Sequence, residues 1–129
     1  MAANNPVVWF EIYVNEMERA QDFYEAVLKI KCSKLPMPQE IQGNMTMVTF
    51  PMNMNGSGAS GALVQMDDFK AGGNSTVVYF HCDDCVVEEN RVEKAGGKVF
   101  QGKHSIGEYG FISLAYDTEG NMFGLHSMS

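Results

Sequence analysis

The chain has 129 residues, 45% of them hydrophobic, and its 9 basic against 16 acidic side chains leave a formal charge of −7. That is one domain's worth of chain, long enough to bury about two-thirds of its unfolded surface without disulfide or metal staples. The acidic balance, with a pI near 4.8, argues against a nucleic-acid or anionic-membrane surface and suits a neutral or cationic small ligand. No stretch approaches the ~20 apolar residues that span a bilayer. The opening MAANNPVV has neither a charged region nor a long apolar run, so it does not read as a signal peptide. Three cysteines fit a cytoplasmic protein with free thiols better than a disulfide scaffold.

Residues 7–14 (VVWFEIYV) form a β-branched and aromatic run. Asn15, with Glu18 three residues later, has the spacing of a capping box. Met17, Ala20, Phe23, Tyr24, Val27 and Leu28 then recur at helical spacing, which predicts an amphipathic helix over MERAQDFYEAVL. Extended runs follow at 30–35, 45–50 and 60–66, separated by Pro, Gly and Asn.

A shift of 68 residues, which carries Trp9 onto Val77, repeats the order. Residues 76–82 (TVVYFHC) read as a strand, Asp83 or Asp84 as a cap, and 85–95 as a helix whose stripe Cys85, Val92 and Ala95 is interrupted by Glu88. Gly96-Gly97 closes it, and extended runs follow at 98–101, 110–116 and 121–127. The expectation is an α+β fold of one domain, 1–129, made of βαβββ modules at 7–66 and 76–127 joined by a loop at 67–75. Twisted sheets built from two such units leave a cleft between them. Alternation turns Phe10, Ile12 and Val14 toward the helix and Trp9, Glu11 and Tyr13 toward the cleft, with Val77, Tyr79 and His81 equivalent, and Gly124 and His126 sharing a face of the last strand.

The runs WFEIYVNEMERAQDFYEAVL, VVYFHCDDC with AGGKV, and DTEGNMFGLHS resemble the vicinal oxygen chelate superfamily, which includes glyoxalase I, bleomycin-resistance proteins and extradiol dioxygenases. The resemblance implies paired βαβββ modules forming a curled mixed sheet around a cup-shaped cavity, usually in a homodimer, without fixing a reaction. The positions at which the family's metalloenzymes hold a divalent metal fall on Trp9, Val77 and Gly124, three residues that cannot coordinate one. No resident cofactor is therefore expected, and a metal would need a relocated site built from Glu11, His81 and His126.

Glu11 interrupts an aromatic strand on the cleft side, where a desolvated carboxylate would serve as general base or ligand anchor. The plainer reading is a carboxylate satisfied by Tyr13, Tyr79 or His126 that holds the modules in register. His81 and His126 read either as an acid–base partner for Glu11 or as hydrogen-bonded structure. Cys82-Asp83-Asp84-Cys85 matches C-x-x-C, but the acidic pair opposes thiolate formation and favours two buried thiols. The chain has 10 methionines; Met52 and Met54 in a Gly/Ser-rich loop suit an adaptable lid, and core filling is the plainer reading of the methionines. The reading that follows is a protein binding a small molecule in a cup lined by Trp9, Glu11, Tyr13, Tyr79, His81 and His126. One version is a lyase or isomerase with Glu11 as base and His126 or a tyrosine hydroxyl stabilising an enolate; the other is a non-catalytic protein that sequesters a cationic or aromatic compound, as resistance proteins do. A homodimer without nucleic-acid or membrane partners is expected.

Overall fold

The computed structural model describes residues 5–36, 45–67 and 69–129; the first four residues of the N-terminal segment and position 68 of the joining loop lie outside them. The order is β1 (Phe10–Tyr13), α1 (Met17–Leu28), β2 (Ser33–Lys34), β3 (Thr46–Thr49), β4 (Gly61–Gln65), β5 (Val78–His81), α2 (Cys85–Val92), β6 (Lys98–Ser105), a 3-10 turn (Gly107–Tyr109), β7 (Phe111–Tyr116) and β8 (Met122–Ser127). Two four-stranded mixed sheets result, ordered β1-β4-β3-β2 and β5-β8-β7-β6. In each, the first strand runs parallel to the last and the others are antiparallel. This is the expected α+β architecture of paired βαβββ units, with neither sheet closed. No described helix is long and apolar enough to cross a membrane.

Helix α1 covers the expected stretch because Ala20, Phe23, Tyr24 and Val27 form one buried face. Helix α2 ends earlier than expected, at Val92, and Gly96 at φ 104° with Gly97 completes its exit through bonds from Gly96 N to Glu93 O and Gly97 N to Val92 O. Strand β6 runs four residues further than its expected end, with register shifts along its pairing to β7.

The helix-side faces of the two sheets share one core. Phe10 meets Phe50 at 5.5 Å between ring centroids, Phe50 meets Phe80 at 5.6 Å, and Phe80 meets Phe123 at 6.1 Å. Tyr24 lies edge-on to Phe50 and Phe123. Aromatic pairs of this kind each add about 0.5–1.5 kcal/mol beyond area burial, so the cluster welds the modules. Ile12 and Val14 are buried, as alternation requires, while Glu11 beside them is exposed.

Candidate functional site

Glu11 collects two donors, one from β1 and one from the residue that leads into it. Trp9 Nε1 donates to Glu11 Oε2 at 3.2 Å, and the Tyr13 hydroxyl donates to Oε1 at 2.9 Å. Residues two apart on a strand share a face, so the Trp9-Glu11-Tyr13 side predicted by alternation is formed, but its carboxylate is exposed rather than desolvated. Burial first, then the bond to Glu11 and its charge, push the Tyr13 phenol above its usual range.

Glu11 and Tyr13 line a cleft of about 270 Å³ at the seam between the modules. Ile12, Val78 and Phe123 supply its apolar floor, and Lys70, Asn74 and Asn121 supply polar walls. The joining loop is fastened along this cleft: Ala71 N donates to Asn15 Oδ1, Gly72 N to Asn121 Oδ1, and Met122 N to Asn74 Oδ1. Phe69 stacks on Tyr13 with centroids 5.1 Å apart. Lys70, Asn74 and Asn121 escaped sequence reasoning because loop residues have no periodicity to assign them a face; only the DTEGN motif hinted at Asn121.

That motif forms the floor of the joint. Asp117 accepts from the backbone N–H groups of Glu119 and Asn121 and from the Tyr24 hydroxyl at 2.6 Å. Asn121 Nδ2 reaches across to Tyr13 O at 2.9 Å. Glu119 accepts from the N–H groups of Asn15 and Glu16 and from the Arg19 guanidinium at 2.7 Å. Although burial opposes it, these donors hold the Glu119 carboxyl down at about 2. Burial pushes Asp117 and Tyr24 the other way, both above their ordinary values. The expected capping box is therefore replaced: Glu16 is the N-cap and its side chain caps nothing, while Asn15 turns to the joining loop. Met17 N donates to Gln65 Oε1 at 2.8 Å, and its counterpart Cys85 N to Ser127 Oγ at 3.0 Å. Each helix start is thus completed by the last residue of its module's final strand.

The other expected cup residues are dispersed. His81 is exposed, 3.9 Å from Asp83, and borders a second cleft at the other end of the seam. His126 has Tyr109 O as its partner at 2.8 Å and borders neither cleft, so the postulated Glu11–His126 acid–base pair does not assemble. Tyr79 is exposed with its ring laid over Gly124, so that a Cβ there would collide with it. Met52 and Met54 are exposed and line neither cleft, although their neighbours Pro51 and Ser60 reach the second one.

The metal implied by the resemblance does not fit. Trp9 and Val77 offer no donor, Gly124 is roofed by Tyr79, and among the described residues no three His, Cys, Asp or Glu side chains gather. Cys32, Cys82 and Cys85 are free and buried. Burial, reinforced by Glu88, pushes the Cys82 thiol up to about 12, and burial with Glu25 pushes Cys32 up to about 11. A raised Cys82 thiol opposes thiolate formation at the first cysteine of the C-x-x-C match.

No family model matches the chain, and no curated protein does either. Solved structures do. A glyoxalase I mutant from Zea mays superposes with a TM-score of 0.74 at 19% identity, over 95% of this chain and 46% of that one. A glyoxalase/bleomycin resistance protein/dioxygenase superfamily member from Sphaerobacter thermophilus gives 0.68 at 22% identity, over 95% and 97%. TnmS3, an antibiotic binding protein from Streptomyces sp. CB03234, gives 0.65 at 24% identity, with both chains covered completely. The chain thus has the paired βαβββ fold of the glyoxalase, bleomycin-resistance and dioxygenase superfamily.

Proposed function

We propose that this protein binds a small, partly aromatic molecule bearing a cation or hydrogen-bond donor in the cleft at the module seam, with Glu11 as its anchor. The observation that carries this reading is the convergence of Trp9 Nε1 and Tyr13 OH on one exposed carboxylate at the mouth of that cleft. Two aromatic donors fix the position of the negative charge, and their ring faces offer stacking surface beside it. The likeness to an antibiotic binding protein supports binding without chemistry. Lys70 and the Asn74 and Asn121 amides can receive the polar remainder of the ligand.

The lyase or isomerase reading keeps one support, since Glu11 does border a cleft. Of the two candidates for stabilising an enolate, the tyrosine hydroxyl of Tyr13 is the one beside Glu11, because His126 is engaged with Tyr109 O. A panel of aromatic amines and antibiotics assayed by calorimetry separates the two. Under the binding reading, Glu11→Gln weakens the best ligand by about tenfold, affinity falls with added salt, and the ligand is recovered unchanged. A chemically altered ligand, or affinity indifferent to Glu11→Gln, would overturn it.

We further propose a cytoplasmic homodimer. Trp9 and Tyr79 are exposed aromatics that a second copy would cover, and three free thiols fit a reducing compartment. Sedimentation at the monomer mass over micromolar concentrations would remove the dimer.

A further inference from the structure

The second cleft encloses about 250 Å³ between the end of α1 and the start of α2. Its walls are the rings of Phe10, Phe50 and Phe80 and the aliphatic Leu28 and Ile30. Its polar lining groups are Ser60, His81 and Glu88. Glu88 follows Cys85 by three residues and precedes Val92 by four, which places it on the core-facing stripe of α2. Its Oε1 is buried and has no hydrogen-bond partner. It is the one buried side-chain nitrogen or oxygen among the described residues left so.

Buried polar atoms are almost always paired, and a carboxylate can only accept. The Cys82 thiol, a weak donor, lies against this carboxyl and leaves Oε1 open to a stronger donor, whose carrier the enclosure decides. A hydrated metal ion or a polyol would strand its polar groups against three phenyl rings. An ammonium on an aromatic body would donate to Oε1, present its positive charge to the ring faces and leave its apolar part in contact with Leu28 and Ile30. The volume lies below the roughly 300–1,000 Å³ of drug-sized sites, so the occupant is small. We propose that this cleft is a second binding site, distinct from the Glu11 cleft, for a small arylalkyl amine whose nitrogen docks on Glu88 Oε1.

The test uses the whole chain, 2-phenylethylammonium as probe, and amide chemical shifts as readout. Titration should perturb Ser60, Phe80, His81 and Glu88 first, and ethylbenzene, which has the body without the nitrogen, should bind at least about tenfold more weakly. Glu88→Leu should weaken the amine by a similar factor while leaving ethylbenzene unaffected or tighter. Perturbations centred on Glu11, Tyr13 and Asn121 would overturn the proposal, as would equal affinity for the amine and the hydrocarbon. That second comparison is made on the unaltered protein, so it holds even if Glu88→Leu fails to fold.

Discussion

The Tyr24 hydroxyl donates a 2.6 Å hydrogen bond to Asp117 Oδ2, tying the first helix to the turn that precedes the last strand. Both residues are buried, and Asn121 Nδ2 is the other donor to that oxygen, at 3.2 Å. Tyr24→Phe keeps the ring in its aromatic cluster but removes this donor. The expected loss is about 1–3 kcal/mol in urea unfolding with an unchanged slope. A loss below about 0.5 kcal/mol would mean that the hydroxyl contributes nothing net.

Glu119→Gln tests the cap that one module lends the other. Two backbone N–H groups and Arg19 lose a charged acceptor, which costs about 1–3 kcal/mol at pH 7. The folded-state value near 2 lies below the ordinary 4.5, so ionised Glu119 stabilises the fold. That advantage is fully present above about pH 5 and disappears as the pH falls toward 2. The difference between the two proteins should shrink over that window; a constant difference would assign the effect to shape rather than charge.

Gly124→Ala drives a methyl group into the space of the Tyr79 ring. Tyr79 is exposed and can swing away, so the cost is the lost stacking, on the order of 1 kcal/mol. In a double-mutant cycle the Tyr79→Ala background should abolish most of that cost. Additive losses would place the clash elsewhere on β8.

The thiols supply a kinetic prediction. Cys82 and Cys32 stay protonated well above neutrality, and Cys85 is fully buried. At pH 8 a disulfide reagent should titrate none of the three within minutes in the native protein and all of them in denaturant. Rapid native labelling of one thiol would reveal local opening around it.

Where apolar residues recur with a clean period, the elements were legible: α1 spans the expected Met17–Leu28, and the split of β1 into Ile12 inside and Glu11 outside follows from alternation alone. The capping of α1 was not, because its acceptors are Glu119 and Gln65 rather than a neighbour such as Asn15, and local spacing carries no trace of partners 104 and 48 residues away. Of the six expected cup residues, Trp9, Glu11 and Tyr13 gather because β1 and the residue that leads into it carry them at every second position. Tyr79, His81 and His126 share a sheet face yet diverge, since β5 ends at His81 and the ring of His126 turns to the 3-10 turn at Tyr109. Glu88 stood out in the sequence only as a flaw in an apolar stripe, and nothing in local spacing connects it to Phe10, Phe50 and Phe80, with which it shares a cleft.

The Glu119 clamp also sets the order in which this chain can become stable. Its acceptor oxygen and the Asn15 N–H are 104 residues apart, and Asn121 meets Tyr13 across a similar span. Contacts of such high order carry a large loop-closure cost and slow the folding of the whole. While the chain emerges from a ribosome, the N–H groups of Asn15 and Glu16 just ahead of the first helix stay open, and Arg19 has only Glu16 as its partner, until the final hairpin arrives. The first half is thereby a dependent of the second, and the interval before residue 119 is made is when the molecule is most exposed to proteases and to mispairing with its neighbours.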